Sequence, residues 1–147
     1  MYKLTQNGVI RLSDGAFIPN NPANKDWQEY QEWLAQGNTP EPEYTPQELR
    51  QKLKSEILAL RLQRINEVIT NQYGYDNLAD VQTYLSDSNL QAECQALINW
   101  YLAYDDLVWN WIDNTLPTIA DADLETIDVK VLEQQIYEQS IQTAPLP

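Results

Sequence analysis

The chain has 147 residues, which is enough for one domain of ordinary size with a smaller appendage. Nine basic side chains against 22 acidic ones give a formal net charge of −13, which argues against binding to the phosphate backbone of nucleic acids and to anionic lipid surfaces. There is no histidine and only one cysteine, Cys94, so composition excludes histidine-dependent catalytic triads, histidine-ligated metals, intrachain disulfides and cysteine-based zinc sites.

Two short strands and a possible third open the chain. Residues 2–5 and 9–12 are extended in pattern and flank Asn7-Gly8, a dipeptide that supplies the positive φ angles of tight hairpins. Residues 16–19 follow a second turn signal and end at a proline, which favours a third extended piece.

A helix rich in aromatic residues follows the strands. Asn24 is a candidate N-cap, the helix ends near Gly37, and one face carries Trp27, Tyr30, Trp33 and Leu34. A hairpin is marginal alone in water, so these rings either cover it or bind a partner. We therefore predict a head module over residues 1–36, with these candidate partner contacts: Val9, Ile10, Phe17, Ile18, Trp27, Tyr30 and Trp33.

The sequence in the middle of the chain predicts a domain boundary followed by a long helix. Residues 37–46 contain three prolines, which is typical of a semi-stiff linker. Thr45, Pro46 and Glu48 mark a helix start, and Gly74 a stop. The apolar stripe of this helix consists of Leu49, Leu53, Ile57, Leu60, Ile65 and Val68.

Three further helices are expected. Asp76 or Asn77 caps a short one, and Asp121 or Asp128 caps the last one. Between them runs the strongest periodic signal, a heptad-like seam made of Leu90, Cys94, Leu97, Tyr101, Tyr104, Val108 and Trp111. The sequence thus predicts a mainly α fold, with an antiparallel helical bundle over residues 47–139 and a C-terminal tail over 140–147. The seam can pack against helices of the same chain or against a second copy, so the sequence leaves open whether the protein is a homo-oligomer.

The net charge is confined to the C-terminal half. Residues 1–64 are neutral, whereas residues 65–147 carry Lys130 against fourteen acidic side chains. Five basic residues fall between Arg50 and Arg64. This basic segment either packs beside the acidic helices of the same bundle or offers a docking stripe to an acidic partner.

The acidic residues do not form a catalytic or metal-binding pattern. Asp105 and Asp106 are adjacent on a helix and point about 100° apart. The cluster from Asp121 to Glu125 lacks the central glycine of an EF-hand and suits a helix start. Cys94 lies on the apolar seam and is expected to be a buried small residue. We therefore expect no enzyme activity, no catalytic, cofactor or metal site, and no cofactor.

Tryptophan and tyrosine are unusually frequent, with five and nine copies beside one phenylalanine. Trp100 and Trp109 fall off the seam that contains Trp111. Either the bundle buries them on a second face or they contact a partner, so both join the candidate partner contacts.

Two stretches resemble proteins of phage and prophage tails. Residues 9–24, VIRLSDGAFIPNNPAN, followed by DWQEY, WLA and GNTPEP, resemble an N-terminal module common in small tail-fibre and tail-fibre-assembly proteins. A second set is similar to the C-terminal helical region of proteins from the same prophage neighbourhoods: YGYDNL at 73–78, YL at 84–85, QAECQA at 91–96, Trp100, VW at 108–109 and LPTI at 116–119.

The resemblance implies a bacteriophage tail role without catalysis. We expect a structural component that binds the tail fibre or baseplate and stays in the virion, after synthesis in the host cytoplasm. No segment has the ~20 apolar residues of a membrane span and no signal peptide is recognisable, so neither membrane nor nucleic acid is an expected partner. The alternatives are a tail-fibre assembly chaperone that is not retained in the particle and an acidic inhibitor that mimics DNA.

Overall fold

The protein is mainly α-helical, as the sequence predicts. The computed structural model describes all residues from Met1 to Pro147, of which 65% are helical, with one small three-stranded antiparallel sheet at the N-terminus. The chain divides into two compact units, Met1–Thr45 and Pro46–Pro147. None of the helices has the length and apolarity needed to cross a membrane.

The N-terminal unit consists of a β-meander and one helix. The strands pair in the order β1-β2-β3, and the elements are β1 (Tyr2–Thr5), β2 (Gly8–Arg11), β3 (Ala16–Pro19) and α1 (Lys25–Ala35). Asn24 caps α1 as predicted, since its side chain accepts hydrogen bonds from the N–H groups of Asp26 and Trp27. Gly37 follows the helix with a φ of +84°, a conformation that favours glycine.

The first hairpin turn differs from the prediction. Thr5 pairs with Gly8, so the loop contains only Gln6 and Asn7, and neither Asn7 nor Gly8 has a positive φ. Gly8 is required for space instead. A Cβ atom at this position would lie 2.1 Å from the carbonyl oxygen of Ile18 on β3, closer than any real contact.

The predicted linker over residues 37–46 is partly structured. Glu41 forms a parallel bridge to Lys3, with its N–H donating to the carbonyl of Tyr2 and its carbonyl accepting from the N–H of Leu4, both at 2.8 Å. Pro40 and Pro42 flank Glu41 and have no N–H to donate, so the pairing stays this short. This segment therefore covers the outer edge of β1 and belongs to the N-terminal unit.

The C-terminal unit contains four α-helices and several tighter or wider turns. The helices are α2 (Pro46–Asn66), α3 (Leu78–Thr83), α4 (Gln91–Asn110) and α5 (Val129–Thr143). Wider π-helical turns extend α2 over Glu67–Gln72 and α4 over Trp111–Thr115. The long helix predicted to reach about Tyr73 is thus α-helical only to Asn66, and Gly74 follows with a φ of +82°.

Side-chain contacts give the direction of the three long helices. Along α2, Arg50 reaches Asp121 beyond the end of α4, while Arg61 reaches Asp105 in its middle. This order makes α2 antiparallel to α4. The pairs Tyr104–Glu133 and Trp100–Ser140 make α5 antiparallel to α4 as well, so α2 and α5 run parallel.

The predicted seam forms the core of this unit. Five of its seven members are buried, whereas Leu90 and Tyr101 are partly exposed. Asn77 caps α3 and Asp128 caps α5, which decides between the two alternatives at each helix. The predicted tail over 140–147 begins inside α5, and the hydroxyl of Tyr73 donates to the main-chain oxygen of Pro147 at 2.8 Å.

We expect Gly8→Ala to loosen the sheet, because the new methyl group would push against the backbone of Ile18. The measurement is amide hydrogen exchange at Val9 and Ile18, which should speed up by more than tenfold, about 1.4 kcal/mol of local opening. Gly15→Ala is the control. Gly15 has a φ of +72° but open space around it, so it tests strain without a clash. Equal exchange rates in both variants would contradict the steric argument.

Candidate functional site

The sheet of the N-terminal unit has two chemically different faces. Residues paired directly across strands share a face, so Leu4, Val9 and Ile18 form one row and Lys3, Ile10 and Phe17 form the other. Val9 and Ile18 are buried in a cluster with Tyr30 of α1. The row of Lys3, Ile10 and Phe17, which we call the outer face, therefore points away from α1.

Several predicted partner contacts are packed inside the unit. Val9, Ile18 and Tyr30 are buried in its own core, so the prediction that they contact a partner is corrected. Trp27 and Trp33 are partly buried around Tyr30 and Tyr2, with ring centroids 5.0 to 6.2 Å apart. The aromatic face of α1 thus covers the sheet, which is the first of the two alternatives raised by the sequence.

Phe17 and Ile10 remain available on the outer face. Phe17 is 55% exposed, and Ile10, directly opposite it on β2, is partly exposed. Phe17 lies on β3, which is an edge strand of the sheet and ends in Pro19. A large aromatic side chain left in water on a rigid sheet is a typical anchor for a protein partner.

Arg11 fixes the sheet to its helix. Its guanidinium donates to Asp14 in the β2–β3 turn at 2.8 Å and to Asp26 in α1 at 3.0 Å. The hydrogen bond from Arg11 lowers the pKa of the Asp14 carboxyl, and the same bond is the main cause that raises the pKa of Arg11. Arg11 thus connects the β2–β3 turn to α1 through two carboxylates.

The two tryptophans off the seam have different environments. Trp100 is fully buried, stacks on Tyr104 with centroids 5.5 Å apart, and donates its indole N–H to Ser140 at 3.1 Å. It is a core residue, which corrects its assignment to a partner surface. Trp109 is 38% exposed, with the ammonium of Lys54 5.7 Å from its ring centroid.

A buried polar cluster that the sequence did not reveal joins the three long helices. Glu133 of α5 accepts two hydrogen bonds from Arg64 of α2, at 3.0 and 2.9 Å, and one from Tyr104 of α4, at 2.7 Å. Arg64 also lies over the ring of Tyr137, 4.1 Å from its centroid. Burial, and then the hydrogen bond to Glu133, raise the pKa of Tyr104. The hydrogen bonds with Glu133 raise that of Arg64.

The basic segment packs within its own unit. Arg50 pairs with Asp121 at 2.8 Å, Arg61 with Asp105, and Arg64 with Glu133. These contacts favour the first interpretation of the segment, in which it packs beside acidic helices. Charge balance was the sequence signal for this packing, but it did not identify the pairs.

The remaining reactive groups are held by neighbours. Cys94 is fully buried, and its thiol lies 3.4 Å from the hydroxyl of Tyr75, which donates to Glu93 at 2.6 Å. The hydrogen-bond contact with Cys94, followed by the bond to Glu93, raises the pKa of Tyr75. No group of three or more Asp, Glu or Cys side chains is placed to hold a metal ion.

Compared with known proteins, the chain matches no family model, no curated protein and no solved structure. Its function therefore has to be inferred from its own residues and surfaces.

We expect Glu133→Leu to cost about 3 to 5 kcal/mol of unfolding free energy, because it leaves the charge of Arg64 without its buried partner. The double variant Arg64→Met with Glu133→Leu should lose less than this single change, since no buried charge is left unpaired and Glu67, the other partner of Arg64, is exposed to water. Urea denaturation of the wild type, both single variants and the double variant measures the coupling. Additive losses would show that the pair does not act as a unit.

Tyr104 gives a prediction for alkaline pH. Its pKa is raised in the folded state, so its contribution to stability is complete below the unfolded value, about 10, and is lost as pH rises towards the folded value. We expect the unfolding free energy to fall more steeply above about pH 10 in the wild type than in Tyr104→Phe, by up to about 1.4 kcal/mol per pH unit. Urea denaturation across this range measures both slopes. Tyr84→Phe, at a largely exposed ring, is the control, and equal slopes for wild type and Tyr104→Phe would refute the prediction.

Proposed function

We propose that the chain is a non-enzymatic component of a phage tail that binds a tail-fibre or baseplate protein and remains in the virion. The observation that carries the proposal is the outer face, where Phe17 stands 55% exposed opposite Ile10. The same residues lie within the stretch from 9 to 24 that resembles the N-terminal module of small phage tail proteins.

The chemistry of the outer face suits a stable protein contact. Burying a whole Phe side chain contributes about 1.5 to 3 kcal/mol, so burying the exposed 55% of Phe17 contributes roughly half of this, and Ile10 adds to the same apolar patch. Lys3 lies in the same row and supplies a charge at its border. A patch with an aromatic centre and a charged border is the usual composition of a binding hot spot.

The support beneath the patch adds to its affinity. The outer face belongs to a sheet whose other side packs on Tyr30. Arg11 links the β2–β3 turn of this sheet to α1. Little conformational freedom is then lost when a partner binds, so more of the contact energy appears as affinity.

A tail-fibre assembly chaperone is the alternative that uses the same surface. Such a protein would bind the fibre through Phe17 during assembly and leave before the particle is complete. The third candidate, an acidic inhibitor that mimics DNA, is favoured by the charge of residues 65–147. Its complex would weaken steeply as salt rises, whereas a contact anchored by Phe17 would not.

Peptide mass spectrometry of gradient-purified particles tests the proposal. The particles are prepared from cells in which the encoding phage or prophage is induced. Recovery of the chain in fixed ratio to the fibre or baseplate protein is the expected result. Its absence from particles, together with abundance in the lysate, would refute the structural role and leave the chaperone and the inhibitor.

We expect Phe17→Ser to remove the chain from particles, or to reduce its copy number at least about tenfold, which corresponds to about 1.4 kcal/mol of lost affinity. The matched control is Leu62→Ser, which removes an equally exposed apolar side chain from the C-terminal unit. Both variants should fold like the wild type, as checked by circular dichroism. Retention of Phe17→Ser at the wild-type ratio would show that the outer face is not the contact.

A further inference from the structure

A groove lies along the C-terminal unit between α2 and the chain that enters α5. Its volume is about 700 Å³, with one wall from Glu56, Ala59 and Leu60 and the other from residues 125–130. A second cavity of about 240 Å³ continues along the same two helices and shares Leu60 and Lys130 with the first. We call the two together the α2–α5 groove.

The larger cavity of the α2–α5 groove has an apolar floor, whereas the second cavity is lined by polar side chains apart from Leu60. Leu60, Ile127 and Val129 line the floor of the larger cavity with apolar side chains, while Ala59 on the α2 wall carries only a methyl group. A larger residue at Ala59 would fill the space. Ala59 thus leaves space on the α2 wall, opposite the segment of residues 125–130 that enters α5.

Carboxylates surround this floor. Glu56, Glu125 and Asp128 line the larger cavity, and Glu67 lines the second. Lys130 is the only basic side chain that lines the larger cavity. In the second cavity Arg64 is paired with both Glu67 and Glu133. The apolar floor within a negative border is therefore that of the larger cavity.

We infer that the α2–α5 groove binds a positively charged amphipathic helix of a partner protein. The apolar lining of the larger cavity, between α2 and the segment that enters α5, can accept apolar side chains from one face of a partner helix, as in helix-in-groove recognition. The acidic border selects basic residues beside that face. A second copy of this chain would bring its own net charge of −13 and be repelled.

This inference does not rest on the proposed tail role. The α2–α5 groove lies in the unit Pro46–Pro147, whereas Phe17 and Ile10 lie in Met1–Thr45. Loss of binding at one surface therefore leaves the other testable.

The experiment titrates the full-length protein against a fluorescein-labelled peptide of Leu, Ala and Lys. The peptide is patterned to form one apolar and one basic helical face, and fluorescence anisotropy reports binding. A peptide of the same composition with a scrambled order, and so no apolar face, should bind at least about tenfold more weakly. In NMR spectra the patterned peptide should shift the amides of Glu56, Ala59 and Ile127.

Two variants on α2 separate the groove from general charge attraction. Ala59→Arg fills the groove and should weaken the patterned peptide at least about tenfold. Gln51→Arg adds the same charge to an exposed position on the same helix, outside the groove, and should change affinity less than about threefold. Lys130→Gln should tighten binding, because it removes the one cation of the larger cavity, which opposes a basic ligand.

Three results would overturn the inference. Equal losses in Ala59→Arg and Gln51→Arg would show that charge alone attracts the peptide. Equal binding of the scrambled peptide would show that the apolar floor is not used. A wild-type dimer in analytical ultracentrifugation that Ala59→Arg dissociates would show that the groove is filled by a second copy of the chain.

Discussion

The arrangement of the C-terminal unit depends on the carboxylate of Glu133. It sits on α5, is almost entirely buried, and receives hydrogen bonds from Arg64 of α2 and Tyr104 of α4. A buried carboxylate costs several kcal/mol in lost hydration unless its partners are well placed. A slip of any one helix by a turn, about 5.4 Å, would remove a partner and leave that cost uncompensated. The cluster therefore selects one register of the three helices from the many that apolar packing alone would allow.

Ion pairs within the C-terminal unit account for the uneven distribution of charge along the sequence. Arginines of α2 form ion pairs with acidic residues that follow residue 64. Arg50 pairs with Asp121, and Arg61 pairs with Asp105. These arginines are ion-paired inside the unit, so they are not available to bind an acidic partner. Fourteen acidic side chains follow residue 64 beside one lysine, so these pairs compensate only part of the charge and the unit keeps a net negative charge.

Features that depend on neighbouring residues, such as helix caps, were predictable from the sequence. Features that depend on contacts between distant segments were not. The caps at Asn24 and Asp128 follow from side chains that reach N–H groups two or three residues away. Trp100 and Trp109 look equivalent in sequence, but only Trp100 meets α5, whose direction no short-range pattern encodes. The sequence predicts Gly8 for its backbone angle in the turn, whereas the structure requires it for the close approach of β3, a contact between strands. On the outer face, Ile10 and Phe17 could be proposed from the sequence, but their exposure depends on which side of the sheet α1 covers.

The two candidate surfaces differ in how strongly salt should affect the binding of their partners. The outer face acts through Phe17 and Ile10, and apolar burial of this kind changes little over ordinary salt concentrations. The α2–α5 groove adds exposed carboxylates, including Glu56 and Glu125, whose attraction is screened over about 10 Å at 0.1 M salt. A partner on the outer face should therefore remain bound where a partner in the groove is released. A basic partner of the groove would be attracted over a distance, which raises its rate of encounter, whereas for a partner of the outer face the aromatic anchor would set the lifetime of the bound state.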